Sequence, residues 1–383
     1  MSGARRVLHV ISGLGTGGAE TMLLRLTEHM QRARIVPTVL ALRGGPMQAE
    51  FAARGIDVVD AGLTGVTRIP GALRAISRCA RRAAPHVIHG WMNHGNLAAW
   101  HAQRAVQRHT RLVWGIRQSL YDVRLEKLAT RFVIRAEARL SGKPDVILFN
   151  SALALEQHRA AGFHNPRMEI IANGFDTRLF HADQAAGAAM RRELGVTEDA
   201  ELIGLVGRAH PMKDFPTFFA ALARVLTARP RAKAVVVGHG VAALGSVLGA
   251  QMSGPERARV LLLEQRRDMQ TFYPALDVLC STSLHGEGFP NVVAEAMACE
   301  VPCVVTDVGD AASVVGTTGS VVPRGDAAAV AAALIGMLQA GPEGRAALGK
   351  AARARVCDNY SIGAIVARHH QLYDSLMETD ETT

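Results

Sequence analysis

The chain has 383 residues, too many for one ordinary hydrophobic core, which points to two domains. Hydrophobic residues make up 49% and charged residues 20%, a balance that excludes a largely disordered protein. A net charge of +9 favours an anionic partner: a nucleic acid, a sugar nucleotide or an acidic lipid surface.

The first strand, Arg6 to Ile11, is short and runs directly into a glycine turn, so it does not read as a signal peptide. Further strands follow at Ile35 to Leu42, Asp57 to Asp60, His86 to Gly90, Leu112 to Ile116 and Val146 to Asn150, with helical patterns between them. Gly13, Gly15 and Gly18 spell G-x-G-x-x-G after the first strand, the dinucleotide fingerprint. That fingerprint also needs an acid about twenty positions on to bind ribose. The second strand ends at Ala41-Leu42-Arg43 without one, which weakens an NAD-dependent oxidoreductase reading.

His94 lies just past the fourth strand in G-W-M-N-H-G-N. From Arg104 to Lys143 basic residues are dense, Arg108, Arg111 and Arg117 among them, with Trp100, Trp114, Tyr121 and Phe132 interleaved. Arg124, Lys127, Arg131 and Arg135 recur at helical spacing between Leu125, Leu128, Phe132 and Ile134, the pattern of a basic amphipathic helix. It fits either a solvated face packed on its own domain or a surface for an anionic membrane. No recognisable nucleic-acid module accompanies the charge, so nucleic acid is not expected. Asn173-Gly174-Phe175-Asp176 reads as a turn.

A second series has strands at Leu202 to Gly207, Lys233 to Gly238, Val260 to Leu263, Val278 to Ser281, Pro302 to Thr306 and Ser320 to Pro323, and a last helical stretch at Ile362 to Met377. Short apolar runs alternating with helices predict parallel sheets covered on both faces, here twice. The expected fold is therefore α/β, with two Rossmann-like domains at residues 1–175 and 176–360 and a terminal helical segment at 361–383. Ligands of such sheets bind at the carboxyl ends of the strands. Five cysteines, Cys79, Cys280, Cys299, Cys303 and Cys357, contain no Cys-x-x-Cys and indicate neither a disulfide framework nor a zinc ribbon, and Cys299 and Cys303 read as core packing. No apolar run reaches membrane-spanning length, and a cytoplasmic location is expected.

Arg208 and Lys213, in G-R-A-H-P-M-K-D-F, stand beyond the first strand of this series and fit a pyrophosphate leaving group. Arg267-Asp268 follows the third strand, where the pair can cap the next helix. Glu287 and Glu295 lie eight positions apart in S-T-S-L-H-G-E-G-F-P-N-V-V-A-E-A-M-A. Pro290 suits a helix start, so Asn291 onward is predicted helical and Glu287 lies on the preceding loop. The free amides of that first turn are a seat for pyrophosphate, which Gly286 and Gly288 let approach. A carboxylate beside this seat repels phosphate, so Glu287 is expected to address sugar hydroxyls and Glu295 the ribose. The alternative places Glu295 on a surface opposite the core-facing Val292, Val293, Ala296 and Met297.

This segment resembles the Glu-x7-Glu signature of the retaining, family 4 type of nucleotide-sugar glycosyltransferases, and Gly13 to Glu20, G-L-G-T-G-G-A-E, is similar to their first glycine loop. The resemblance implies a GT-B architecture, with two Rossmann-like domains whose sheets face across a cleft and a terminal helix returning to the first domain. It implies a UDP- or GDP-sugar donor, a glycan or lipid-linked glycan acceptor, and neither metal nor other cofactor. Residue by residue, it implies that Glu287, Arg208, Lys213 and His94 serve the reaction. Gly17, Gly18, Glu295, Gly288, Phe289, Asn291, Val292 and Arg267 would hold the donor, and Arg117 would touch phosphate or acceptor. His285, just before Glu287, is a weaker candidate. One departure stands out: Glu300 occupies the helix end where the family carries glycine, which predicts a steric penalty and keeps open a catalytically silent, ligand-binding relative.

Overall fold

The computed structural model describes residues 5–32, 35–106, 109–120 and 128–378. Arg108, Tyr121, Arg124, Leu125 and Lys127 of the basic stretch lie outside these. The chain forms two units, one reaching to Gly174 and resuming at Ile362, the other spanning Phe175–Ser361.

The first unit is built on a seven-stranded sheet of β1 (Arg5–Ile11), β2 (Ile35–Ala41), β3 (Asp57–Asp60), β4 (Val87–Trp91), β5 (Arg111–Ile116), β6 (Val146–Phe149) and β7 (Met168–Ile170), in the order β3-β2-β1-β4-β5-β6-β7. Every pairing is parallel. The order reverses between β1 and β4, where Ile11 lies beside Trp91. Alternation along the strands sorts the two faces. Leu8, Val10, Leu40, Ile88, Leu112, Trp114 and Phe149 pack in one core with the helices Ile69–Ala83, Met92–Arg104 and Leu128–Leu140. His9 and His89 take the opposite phase, and His89 meets His369 and Tyr373 of the helix Ile362–Glu378. β7 was not anticipated: it is three residues long with Glu169 at its centre, too short to stand out as an apolar run.

The second unit has β8 (Glu201–Val206), β9 (Ala232–Val237), β10 (Val260–Leu263), β11 (Val278–Ser281), β12 (Cys303–Thr306) and β13 (Ser320–Val322), ordered β10-β9-β8-β11-β12-β13 and also parallel throughout. Its order reverses between β8 and β11. Ile203, Leu205, Val236, Cys280 and Val304 share a core with Phe215, Phe218, Phe219 and Leu222 of the helix Phe215–Ala228. Cys280, Cys299 and Cys303 are buried and unpaired, as packing residues are.

The end of the helix Asn291–Ala298 bears out the expectation for Glu300. The Val301 N–H donates to the Ala296 carbonyl and the Glu300 N–H to that of Met297, a Schellman closure that requires Glu300 at φ +61. No helix among the described residues is long and apolar enough to cross a membrane.

Candidate active site

In open parallel sheets the crevice at the reversal of strand order is where ligands settle. In the second unit, β8 and β11 both discharge their loops at that point. The β8 loop carries Arg208, then a short 3-10 turn, Pro211–Lys213, whose entry is capped by His210 Nδ1 accepting the Met212 N–H at 3.3 Å. Asp214 ends this turn at φ +49 and its Oδ1 accepts the Thr217 N–H at 3.3 Å, so one residue closes the turn and opens the next helix. The β11 loop is tied to it twice. Thr282 Oγ1 donates to the Lys213 carbonyl at 2.9 Å, and the Leu284 N–H to the Met212 carbonyl at 2.8 Å.

These ties bring Lys213 and Glu287 together. Lys213 Nζ forms an ion pair with Glu287 Oε1, which also accepts Ser283 Oγ–H at 2.8 Å. The two side chains are only 16% and 14% exposed. Burial by itself pushes the Glu287 carboxyl up, but Lys213, the Ser283 hydroxyl and Arg208 outweigh it and hold the group below its ordinary value. Glu287 is therefore an anion held in place, flanked by two cations. Arg208 is exposed, with Nη2 3.9 Å from Met212 Sδ. Gly286 sits at φ +76, and a Cβ on Gly309 would stand 2.6 Å from the Glu287 carbonyl, so glycines on both sides set the path of this turn. His285 is partly exposed beside it. His210, not foreseen from the sequence, is lowered by burial and by Arg208, His285 and Lys213.

The helix begins at Asn291, directly after Pro290. Asn291 and Val292 are partly exposed at its start. Glu295 is buried, with Oε2 accepting the Tyr273 hydroxyl at 3.0 Å, which corrects the surface-residue alternative. Tyr273 is 22 positions away and carried no sequence signal. Phe289 is buried against Phe175 and Tyr360, with ring centroids 5.8 and 5.1 Å away, and the Gly288 carbonyl accepts the Asp310 N–H at 3.0 Å. These two residues shape the turn from inside. Arg267 is exposed after β10, while Arg266 forms the bidentate pair with Asp268. Asp268 stands at the N-cap of the helix Met269–Phe272, its carbonyl accepting the Thr271 and Phe272 N–H groups while its side chain stays with Arg266.

In the first unit the glycine loop leaves β1 and His94 follows β4, the two strands at the order reversal. A Cβ on Gly95 would lie 2.6 Å from the Val10 carbonyl and 3.4 Å from the Ser12 nitrogen, so the two junctions touch. Met92 at φ +64 makes the sharp entry into its helix, and His94 stands exposed on the first turn. Gly17 and Gly18 lie where the loop enters the helix Gly18–Arg32. Arg117 is drawn into the unit. It is 8% exposed, its guanidinium lies 4.4 Å from the centre of the Trp91 ring, and Nη1 donates to Asn173 Oδ1 at 3.0 Å.

Two family profiles match the chain: Glycosyltransferase Family 4 over residues 16–179 and Glycosyl transferases group 1 over residues 200–340. A D-inositol 3-phosphate glycosyltransferase of Kribbella flavida is 31% identical over 228 residues, covering 54% of this chain and 52% of the relative. A GDP-mannose-dependent monoacylated alpha-(1-6)-phosphatidylinositol monomannoside mannosyltransferase of Corynebacterium glutamicum is 29% identical over 227 residues, covering 57% of this chain and 59% of the relative. The match thus spans little more than half the length of these relatives. The crystal structure of Anabaena HepE in complex with UDP-glucose superimposes with a TM-score of 0.84 at 21% identity, over 97% of this chain and 99% of that one, which shows the GT-B fold. Matched in both units, with its Glu-x7-Glu segment at the order reversal of the second sheet, the chain belongs to the family 4 glycosyltransferases.

Proposed function

We propose that the protein is a retaining, metal-independent glycosyltransferase that moves a sugar from a nucleoside diphosphate sugar to an acceptor hydroxyl in glycan or glycolipid assembly. The observation that carries this reading is the convergence of Arg208, Lys213 and Glu287 beside the amino end of the helix Asn291–Ala298. That end carries the positive pole of the helix dipole, which suits a diphosphate. Lys213, already on Glu287, would be shared with the diphosphate, leaving Glu287 to hold sugar hydroxyls and Glu295 the ribose. In the transfer the bond from the anomeric carbon to the phosphate oxygen breaks as the acceptor oxygen bonds the same face. The acceptor proton passes to the leaving phosphate, whose charge Arg208 and Lys213 neutralise. Fixed cations aimed at developing charge are worth most in a site with little water.

A thermal-shift screen of UDP- and GDP-sugars, followed by assay of nucleoside diphosphate release with an acceptor panel in the presence of a chelator, tests this reading. Donor-dependent stabilisation and chelator-resistant release are expected. Saturable donor binding without turnover on any acceptor would favour the silent relative, and no response to any sugar nucleotide would end the reading.

A peripheral contact with an anionic membrane is the second part of the proposal, since the relatives' names include acylated and inositol-based acceptors. Between Ala61 and Tyr121 the chain has nine arginines and no acid. Arg68, Arg74, Arg78, Arg81, Arg82 and Arg104 are exposed there, as are Val66, at 82%, and the nearby Ile69 and Leu73. On the helix Leu128–Leu140, Leu128 and Phe132 are exposed at 68% and 67%, next to the exposed Arg135. This helix and Ile69–Ala83 cover the same face of the sheet. Exposed aliphatic and aromatic side chains among arginines suit an anionic bilayer better than an acidic polymer.

A further inference from the structure

The carboxylate of Glu287 is tied to the end of a neighbouring strand through two hydroxyl groups. β12 ends at Thr306, which is 2% exposed, and its Oγ1 donates to the Ser283 carbonyl at 2.7 Å. The same hydroxyl lies 3.4 Å from the carbonyl of Ser281, the last residue of β11. The parallel ladder between these strands stops with Ser281 opposite Val305, so the threonine hydroxyl holds the chain two residues beyond the ladder. Ser283, also 2% exposed, is fixed by this bond, and its own hydroxyl spans the glycine turn to reach Glu287 Oε1, four positions on, at 2.8 Å. The loop after β12 supports the far side of that turn, where the Asp310 N–H donates to the Gly288 carbonyl at 3.0 Å and Gly309 packs against the Glu287 backbone.

Lys213 and Ser283 donate to the same oxygen of Glu287. A lysine is a point charge on a flexible four-carbon stem, and one shared with a diphosphate is not a fixed partner for that oxygen; a buried serine on an anchored backbone is. We propose that Ser283 is a positioning residue for Glu287, with Thr306 as its anchor: the serine hydroxyl keeps the carboxylate aimed at the donor sugar when Lys213 turns to the diphosphate. The part concerning the sugar and the diphosphate rests on the function proposed above. The tie from Thr306 through Ser283 to Glu287 does not. The consequence is a division of labour in which the cations hold the diphosphate, while Ser283 and Thr306 set how much the sugar adds to donor binding.

The test uses the full chain, the UDP- or GDP-sugar that stabilises wild type most, and the matching UDP or GDP, each titrated by calorimetry into Ser283→Ala, Thr306→Val and Thr306→Ser. Ser283→Ala should weaken the sugar nucleotide about tenfold, the scale of one hydrogen bond to a charged group. Binding of UDP or GDP alone should change little, since on the proposed mechanism the diphosphate lies with Arg208 and Lys213. Thr306→Val, which keeps the side-chain shape and removes the hydroxyl, should weaken the sugar nucleotide in the same sense. Thr306→Ser should recover most of that loss, and this pair carries the test if Ser283→Ala does not fold. In a Glu287→Ala background, Ser283→Ala should weaken the sugar nucleotide no further. Equal weakening of the sugar nucleotide and the free diphosphate, or an unchanged affinity for both, would overturn the positioning role. If wild type binds no sugar nucleotide, the proposed function fails and the tie is read in denaturant melts, where the losses from Ser283→Ala and Glu287→Ala should be non-additive. Additive losses there would overturn the tie as well.

Discussion

Glu300 and Glu295 are single residues whose surroundings fix an outcome in advance. Glu300 is held at φ +61 by a closure that glycine makes without strain. Glu300→Gly should therefore stabilise the protein by about 1 kcal/mol, the scale of a left-handed side-chain penalty less the flexibility that glycine adds to the unfolded chain. For a unit of this size that is a Tm rise of about 3 °C, readable by calorimetry. A fall in Tm would mean that the Glu300 side chain makes a compensating contact. Glu295 is buried and bonded to Tyr273. On the ribose assignment Glu295→Ala should mainly weaken donor binding, by about tenfold for one lost hydrogen bond to a charged group. An unchanged donor Kd would assign Glu295 to the Tyr273 contact alone.

At the scale of elements, the strands were legible because short apolar runs spaced by helices are what doubly covered parallel sheets require. Arg208 and Lys213 are singled out in the sequence by type and by their place after a strand, and Glu287 by its spacing from Glu295. Their union followed from the resemblance and not from spacing, since Lys213 and Glu287 are 74 positions apart and meet because the order reverses between β8 and β11. The burial of Arg117 was hidden for a related reason: a basic residue after a strand looks alike whether it stays exposed or, as here, turns inward onto Trp91 and Asn173. The helix Leu128–Leu140 was anticipated as basic and amphipathic, but the apolar residues split, with Ile134 buried and Leu128 and Phe132 exposed. That split gives the membrane proposal its test. Replacing Leu128 and Phe132 together by Ser should reduce sedimentation with anionic vesicles at low salt at least about tenfold, from the apolar area no longer buried. Sugar-nucleotide binding should be unaffected. Equal sedimentation of variant and wild type would remove this helix from the contact.

Across the molecule, buried titratable groups predict how stability follows pH. His9 and His369 are lowered to about 3 and His158 to about 4, each chiefly by burial, and His89 is lowered well below its ordinary value for the same reason. Unfolding exposes them to titrate near 6.5, so below that pH the unfolded chain binds more protons than the folded one, and stability falls with acid. Glu137 acts in the opposite sense. Burial pushes it up to about 8 against a weaker pull from Asn96, whose Nδ2 donates to it at 3.0 Å. The folded state therefore keeps a proton that the unfolded chain loses above about 4.5, and this contribution fades as pH rises to about 8. Each group should add a slope of about 1.4 kcal/mol per pH unit within its window, so acid unfolding below pH 6.5 should be steep. Glu137→Gln should flatten the decline between pH 6.5 and 8, which denaturant melts across pH would read. A decline unchanged by that substitution would mean that Glu137 is ionised in the folded protein.

The most direct test of the account is the turnover of Lys213→Ala, measured as nucleoside diphosphate released from the best-bound sugar nucleotide with a working acceptor. On the proposed mechanism Lys213 is shared between Glu287 and the departing phosphate, so kcat should fall at least about 100-fold, as for loss of one preorganised charge-stabilising donor. Turnover equal to wild type in a folded Lys213→Ala protein would contradict the role given to Arg208, Lys213 and Glu287.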